Sequence, residues 1–327
     1  MLLFILAVNA ISFGKPCIKT SGGKGFSAMA FKEMGMPEEK IKKFLESEKP
    51  FAKFFRYLVG IFFFLFIIGL VFSIDFIFRH IKLIFKTGST DRPVSWGVLD
   101  ILRVVIIVVF TGYILAIAEE FILKMLHFNI DINLRMILST FFIDITALIA
   151  ILYFVLVKCR ENLFSLGLRL RDFSKNILIG ASAYIFILPL LISVLFLSVF
   201  FLSFLGYKPP PQPIFDLFFE EKRRGVLLFL TIFVSVLGPV IEEVFFRGFM
   251  YNTVKKRFGV LIAMLLSAGV FSALHTNIAG FLPIMILGIL MAYLYEKTSS
   301  LIPSIAVHIL HNSIIVGFVF LVKELLR

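Results

Sequence analysis

Eight apolar runs divide this chain, and most are long enough to cross a lipid bilayer. They cover roughly 57–78, 99–118, 136–157, 177–205, 225–250, 259–275, 279–295 and 301–322. A crossing helix needs about 20 apolar residues at about 1.5 Å of rise each. Inside hydrocarbon the backbone must satisfy its own hydrogen bonds, so runs of this kind fold as helices. The expected fold class is all-α, a polytopic integral membrane protein built as a bundle of about eight transmembrane helices. Composition excludes a soluble fold. Of 327 residues 60% are hydrophobic, 42 are Phe and only 17% are charged, whereas a soluble domain is about half apolar and a quarter charged. The chain is expected to be multi-pass in a membrane, the cell membrane if its source is prokaryotic.

Three segments follow from this pattern. Residues 1–56 form a basic, partly amphipathic N-terminal segment, 57–135 carry the first two spans, and 136–327 hold the remaining six. Residues 1–12 are apolar but too short to span, and read as a weak signal sequence or an interfacial segment. Residues 37–57 read as an amphipathic helix with Phe44, Phe51, Phe54 and Phe55 available to an interface, or as a solvated charged helix. The stretch 207–216, with Pro209, Pro210, Pro211 and Pro213, reads as a stiff extended connector rather than a helix. The formal charge of +12 sits in loops beside apolar spans, which points to lipid headgroups and the positive-inside rule, not to nucleic acid. Apart from the N-terminal segment, the basic loops follow the first, third and fifth spans, which places those loops in the cytoplasm. Cys17 and Cys159 are far apart and show no metal-site spacing.

Against that apolar background a few polar residues stand out. Glu242, Glu243 and Arg247 interrupt the fifth run, His275 closes the sixth, and His308 and Asn312 lie inside the last. Ionisable groups at bilayer depth cost several kcal/mol each and by default mark function. Glu243 and Arg247 are four apart, so they share a helix face and can pair, while Glu242 lies about 100° round and points elsewhere. Gly238-Pro239 should loosen or kink the helix just before the acids. Counting rise per residue, Glu242, His275 and His308 can meet in the half-membrane nearer one surface. Other polar residues in the spans have plainer readings. Asp75, Asp144 and Arg103 read as interhelical bonds or end-of-span snorkels, and His311 as an interhelical bond. Glu119 and Glu120 read as the interfacial end of a span. The main cluster itself could be polar glue between helices.

The same residues carry a family resemblance. EEVFFRG, from Glu242 to Gly248, resembles the EExxxRG first motif of the CPBP family of CAAX-processing endopeptidases and bacteriocin-processing or self-immunity membrane proteins. FSALH, from Phe271 to His275, resembles its FxxxH motif, and His308 to Asn312 its HxxxN motif. The order and spacing agree over roughly 140–322. The resemblance implies an intramembrane endopeptidase acting on a membrane-associated or lipidated peptide or protein. In it Glu242 resembles the general base, His275 its partner in activating water, and His308 and Asn312 the groups that stabilise the oxyanion. Glu243 and Arg247 would order the site. The resemblance favours a glutamate mechanism with no metal, although the family is often classed as metalloprotease and Glu242, His275 and His308 could also be a zinc ligand set. The alternative functional class is a non-proteolytic membrane partner, such as a bacteriocin-immunity or scaffold protein.

Overall fold

The computed structural model describes residues 94–126, 132–207 and 213–325, together with Glu48, Tyr57, Phe64, residues 66–75 and Phe78. The N-terminal segment, its amphipathic stretch and much of the first apolar run lie outside the described residues. From that run a short apolar helix, Phe66–Asp75, is seen.

Long apolar runs give long helices. In chain order these are α1 (Val98–Leu126), α2 (Ile132–Leu152, continued by a π turn, Tyr153–Lys158) and α3 (Phe173–Phe204). After the short α4 (Pro213–Glu220) comes α5 (224–258), in which α-helical stretches alternate with π turns at Phe233–Leu237 and Val244–Tyr251. Then follow α6 (260–274), α7 (Phe281–Thr298) and α8 (Ile302–Leu325). There is no strand among the described residues. Six apolar helical stretches among those residues are long enough to cross a membrane. The chain is an all-α, multi-pass integral membrane protein.

One of the six, Arg224–Leu274, has 51 residues. Straight, it would be about 75 Å long, more than twice the hydrocarbon core of a bilayer. The helix is broken at Gly259, where φ is 81° and ψ 176°, a conformation strained for any residue with a Cβ. The chain reverses there. Phe271 of α6 packs back on α5, its ring 5.2 Å from that of Phe246 and 4.5 Å from the Arg247 guanidinium carbon. The stretch therefore supplies two legs, as the fifth and sixth apolar runs predict.

α5 lies at the centre, packed against α2, α6 and α8, and α3 lies across α7 and α8. Between helices in lipid, close van der Waals contact replaces the hydrophobic effect, so small residues let backbones approach. Gly288 does this on α7, where a Cβ would come within 2.9 Å of the Ala268 Cβ on α6. At the end of the bundle near Gly259, Tyr251 donates to Glu296 (2.9 Å) and Lys255 pairs with the same carboxylate oxygen (2.7 Å). The buried Trp96 indole donates to Phe249 O at 3.1 Å and tethers the start of α1 to α5.

Two sequence readings are corrected. Pro213 does not continue an extended connector but opens α4, because proline tolerates the first helical turn, where its missing N–H has no partner to lose. Buried Lys323 holds the other end, donating to Phe218 O and Glu221 O at 2.8 and 2.9 Å. Glu119 and Glu120 do not end their span, since α1 runs on to Leu126. Glu119 bonds Arg135 and Ser139 of α2, and Glu120 pairs with Lys124 one turn on.

Candidate active site

The site begins with a break in helical register. In the π turn of α5 the Gly238 N–H bonds Phe233 O, five residues back. Such turns widen a helix locally and recur at functional positions. A second π turn, Val244–Tyr251, follows directly after the two acids, so Glu242 and Glu243 sit on a short α-helical piece between two widened ones.

Glu243 and Arg247 are both fully buried. A buried charge needs a partner and further hydrogen bonds; these two pair with each other, while Glu243 Oε2 and Arg247 Nε are buried without a hydrogen bond. Arg247 Nη1 donates to Glu243 Oε1 at 2.6 Å, and Nη2 donates to Gly288 O at 3.3 Å. The guanidinium also lies over the Phe271 ring. The i,i+4 pairing expected from spacing is present.

His308 joins this pair from α8. Its Nδ1 is 2.9 Å from Glu243 Oε1, and its Nε2 is 3.6 Å from Glu242 Oε2. A carboxylate oxygen already receiving an arginine N–H acts as an acceptor, so Nδ1 donates and the ring is fixed with Nε2 toward Glu242. One turn earlier, Ser304 Oγ donates to Met291 O at 2.7 Å and anchors α8 to α7.

His275 caps the C-terminus of α6. Its Nδ1 is 2.8 Å from Phe271 O. A carbonyl only accepts, so Nδ1 carries the proton and Nε2 is left as an acceptor in the neutral ring. Beyond it Thr276 has φ 50°, and Asn277 Oδ1 accepts from the Gly280 N–H at 3.0 Å, which closes the tight turn into α7.

The structure thus brings Glu242, Glu243, Arg247 and His308 into one network. His275 joins it through Phe271, whose buried ring meets His275 at 4.7 Å and His308 at 5.4 Å, edge-on to both. Sequence reasoning gave Phe271 no role of its own, although the first position of the FxxxH motif was its signal. Asn312 lies one turn beyond His308, and its Nδ2 donates to Val234 O at 2.9 Å. His311 faces Tyr184 of α3, its Nδ1 3.1 Å from the phenol oxygen, which is the interhelical bond expected for it.

Two histidines and a glutamate are the right donor types for zinc. Among the described residues no three His, Cys, Asp or Glu side chains are grouped closely enough to hold a metal ion. His308 donates Nδ1–H to Glu243 and would offer Nε2, on the Glu242 side, to any ion bound there.

Beside His275 the fold leaves a cavity of about 610 Å³ between the second half of α3 and the α6–α7 turn. Val194, Leu197, Phe201, Ala273 and Phe281 give it an apolar lining. Its volume is that of a small-ligand site.

Comparison with known proteins places these motifs. The family model described as Type II CAAX prenyl endopeptidase Rce1-like matches residues 224–314, which hold all three. The "Putative membrane peptidase YdiL" of Bacillus subtilis is 26% identical over 87 residues, 27% of this chain and 36% of that protein. The "Membrane-embedded CAAX protease MroQ" of Staphylococcus aureus is 31% identical over 111 residues, 32% of this chain and 44% of that protein. The chain thus spans less than half the length of either relative. No solved structure matches it. The resemblance carried by the three motifs is borne out, and over residues 224–314 the chain matches the Rce1-like family of CAAX prenyl endopeptidases.

Proposed function

We propose that this protein is an intramembrane endopeptidase that hydrolyses a peptide bond of a membrane-associated or lipidated peptide or protein. The observation that carries this reading is His308 held between two buried carboxylates, one locked by Arg247 and the other 3.6 Å from its free nitrogen. Polar glue needs no such division of roles. Here one acid is engaged by both Arg247 and His308 through Oε1, and its neighbour is left facing an imidazole.

The chemistry follows from which groups are engaged. Glu243 and Arg247 neutralise each other and orient His308. Glu242 takes the proton of a water molecule as that water attacks the scissile carbonyl carbon. The Nε2 lone pair of His275 accepts the water's second hydrogen and orients it. As an imidazolium with Nδ1–H on Glu243, His308 donates its Nε2–H to the oxyanion of the tetrahedral intermediate, and a donor of this kind contributes about 3 kcal/mol. The C–N bond then breaks, and the leaving amine takes the proton from Glu242. The apolar cavity beside His275 is the place for an apolar part of the substrate.

We take the water to be activated without a metal ion. The test uses purified protein in lipid nanodiscs with membrane peptides. Wild type should cleave them, Glu242→Gln should not, and chelation should leave the rate unchanged. One equivalent of zinc, with activity lost on chelation and restored by zinc, would overturn the metal-free part. Equal cleavage by wild type and Glu242→Gln would overturn the whole.

A further inference from the structure

Asn312 donates one of its two amide N–H groups to a main-chain carbonyl, Val234 O, 2.9 Å away on α5. Val234 lies in the π turn, where the preceding carbonyl, Phe233 O, is served by the N–H five residues on, that of Gly238. For Val234 that residue is Pro239, which has no N–H. The carbonyl is therefore orphaned by the proline, and a carbonyl inside a membrane bundle needs a donor. Asn312 is that donor. Because the partner can only accept, the amide must present its nitrogen there.

From this we propose that Asn312 is a positioning residue: it replaces the hydrogen bond Pro239 cannot make, and so fixes α8 against the part of α5 that carries the catalytic acid. Glu242 is three residues beyond Pro239, and His308 is one turn before Asn312. A bond between these two short pieces sets the 3.6 Å spacing of Glu242 and His308. This role differs from the oxyanion contact that the resemblance implies for Asn312. It rests on the endopeptidase reading only for its effect on rate.

The test is a double-variant cycle, because Pro239→Ala returns an N–H to the chain in the register that serves Val234 O. Asn312→Ala alone should lower kcat about tenfold or more, the scale of one lost buried hydrogen bond, with KM unchanged. It should also lower the unfolding midpoint. In the Pro239→Ala background the same change should cost little in either quantity. A loss of equal size in both backgrounds overturns the proposal and returns Asn312 to the oxyanion.

The two measurements separate this proposal from the function it builds on. If wild type cleaves nothing, the endopeptidase reading fails, and coupling in the unfolding midpoints still supports the bond while additivity contradicts it. The midpoints decide in the same way if Pro239→Ala alone abolishes cleavage. Should Asn312→Ala fail to accumulate, recovery of folded protein in the double variant supports the proposal, and its continued absence contradicts it.

Discussion

His308 Nδ1 lies 2.9 Å from Glu243 Oε1, although the two residues are 65 positions apart in the chain. That bond ties the last helix to the central one at full burial, and it gives the two adjacent acids different work. In the proposed reading Glu243 holds structure, and Glu242 is left for chemistry.

Replacing each acid should therefore have a different signature. Glu243→Ala leaves Arg247 charged, buried and without its carboxylate, a loss of about 3–5 kcal/mol. Its unfolding midpoint in a denaturing-detergent titration should fall sharply. Glu242→Gln keeps shape and should leave that midpoint nearly unchanged, while cleavage falls about 10³-fold or more with the general base gone. Equal destabilisation by the two changes would contradict the division of roles.

Phe271 should behave as a site residue. Its ring contacts Arg247, His275 and His308 at once. Phe271→Leu keeps most of the apolar bulk but removes the face on which the guanidinium rests, a contact of about 1–2 kcal/mol. Cleavage should drop by more than the stability loss accounts for, measured as kcat beside an unfolding titration.

Gly288 should not tolerate a larger side chain. A Cβ there lies 2.9 Å from Ala268 Cβ and 3.4 Å from Arg247 Nη2, so Gly288→Val should cost about 1–3 kcal/mol as overpacking and should displace the arginine. Gly269, on the same α6–α7 hairpin, has open space where a Cβ would stand, with nothing within 4 Å. Gly269→Ala should be neutral or mildly stabilising, and the pair compared by thermal unfolding checks the packing.

At the opposite end of the bundle from Gly259, stability should depend on acid. Hydrogen bonds from Arg223 hold the Glu221 carboxyl, ordinarily near 4.5, down at about 2 against the opposing effect of burial. A value lowered by folding means stability that is fully present above pH 4.5 and is lost as pH falls toward about 2. Arg223 is 45% exposed, so salt should weaken the effect. Unfolding midpoints taken across that window should flatten in Glu221→Gln.

Much of this architecture was legible in the sequence. Apolar length alone located the spans seen among the described residues, because a bilayer forces helices. The spacing of Glu243 and Arg247 gave their pairing, because i,i+4 side chains share a helix face. Gly238-Pro239 marked the place where α5 leaves its regular register. Other features depend on neighbours far away in the chain. Nothing local says that His308 meets Glu243 rather than lipid, or that Asn312 serves the carbonyl of Val234. Pro213 looked like one more member of a proline-rich connector, and only the docking of α4 under Lys323 shows it as a helix start. The conformation of Gly259 was likewise hidden, since the apolar runs on either side predict a reversal there but not the positive φ that makes it.

The most direct test compares the termini of membrane proteins in cells carrying wild type with those in cells carrying Glu242→Ala at matched expression. A defined set of new termini present with wild type and missing in the variant is the predicted result, and it would name the substrates. Identical termini, with both proteins rescuing the defect of a full deletion, would contradict the account and leave a binding role in its place.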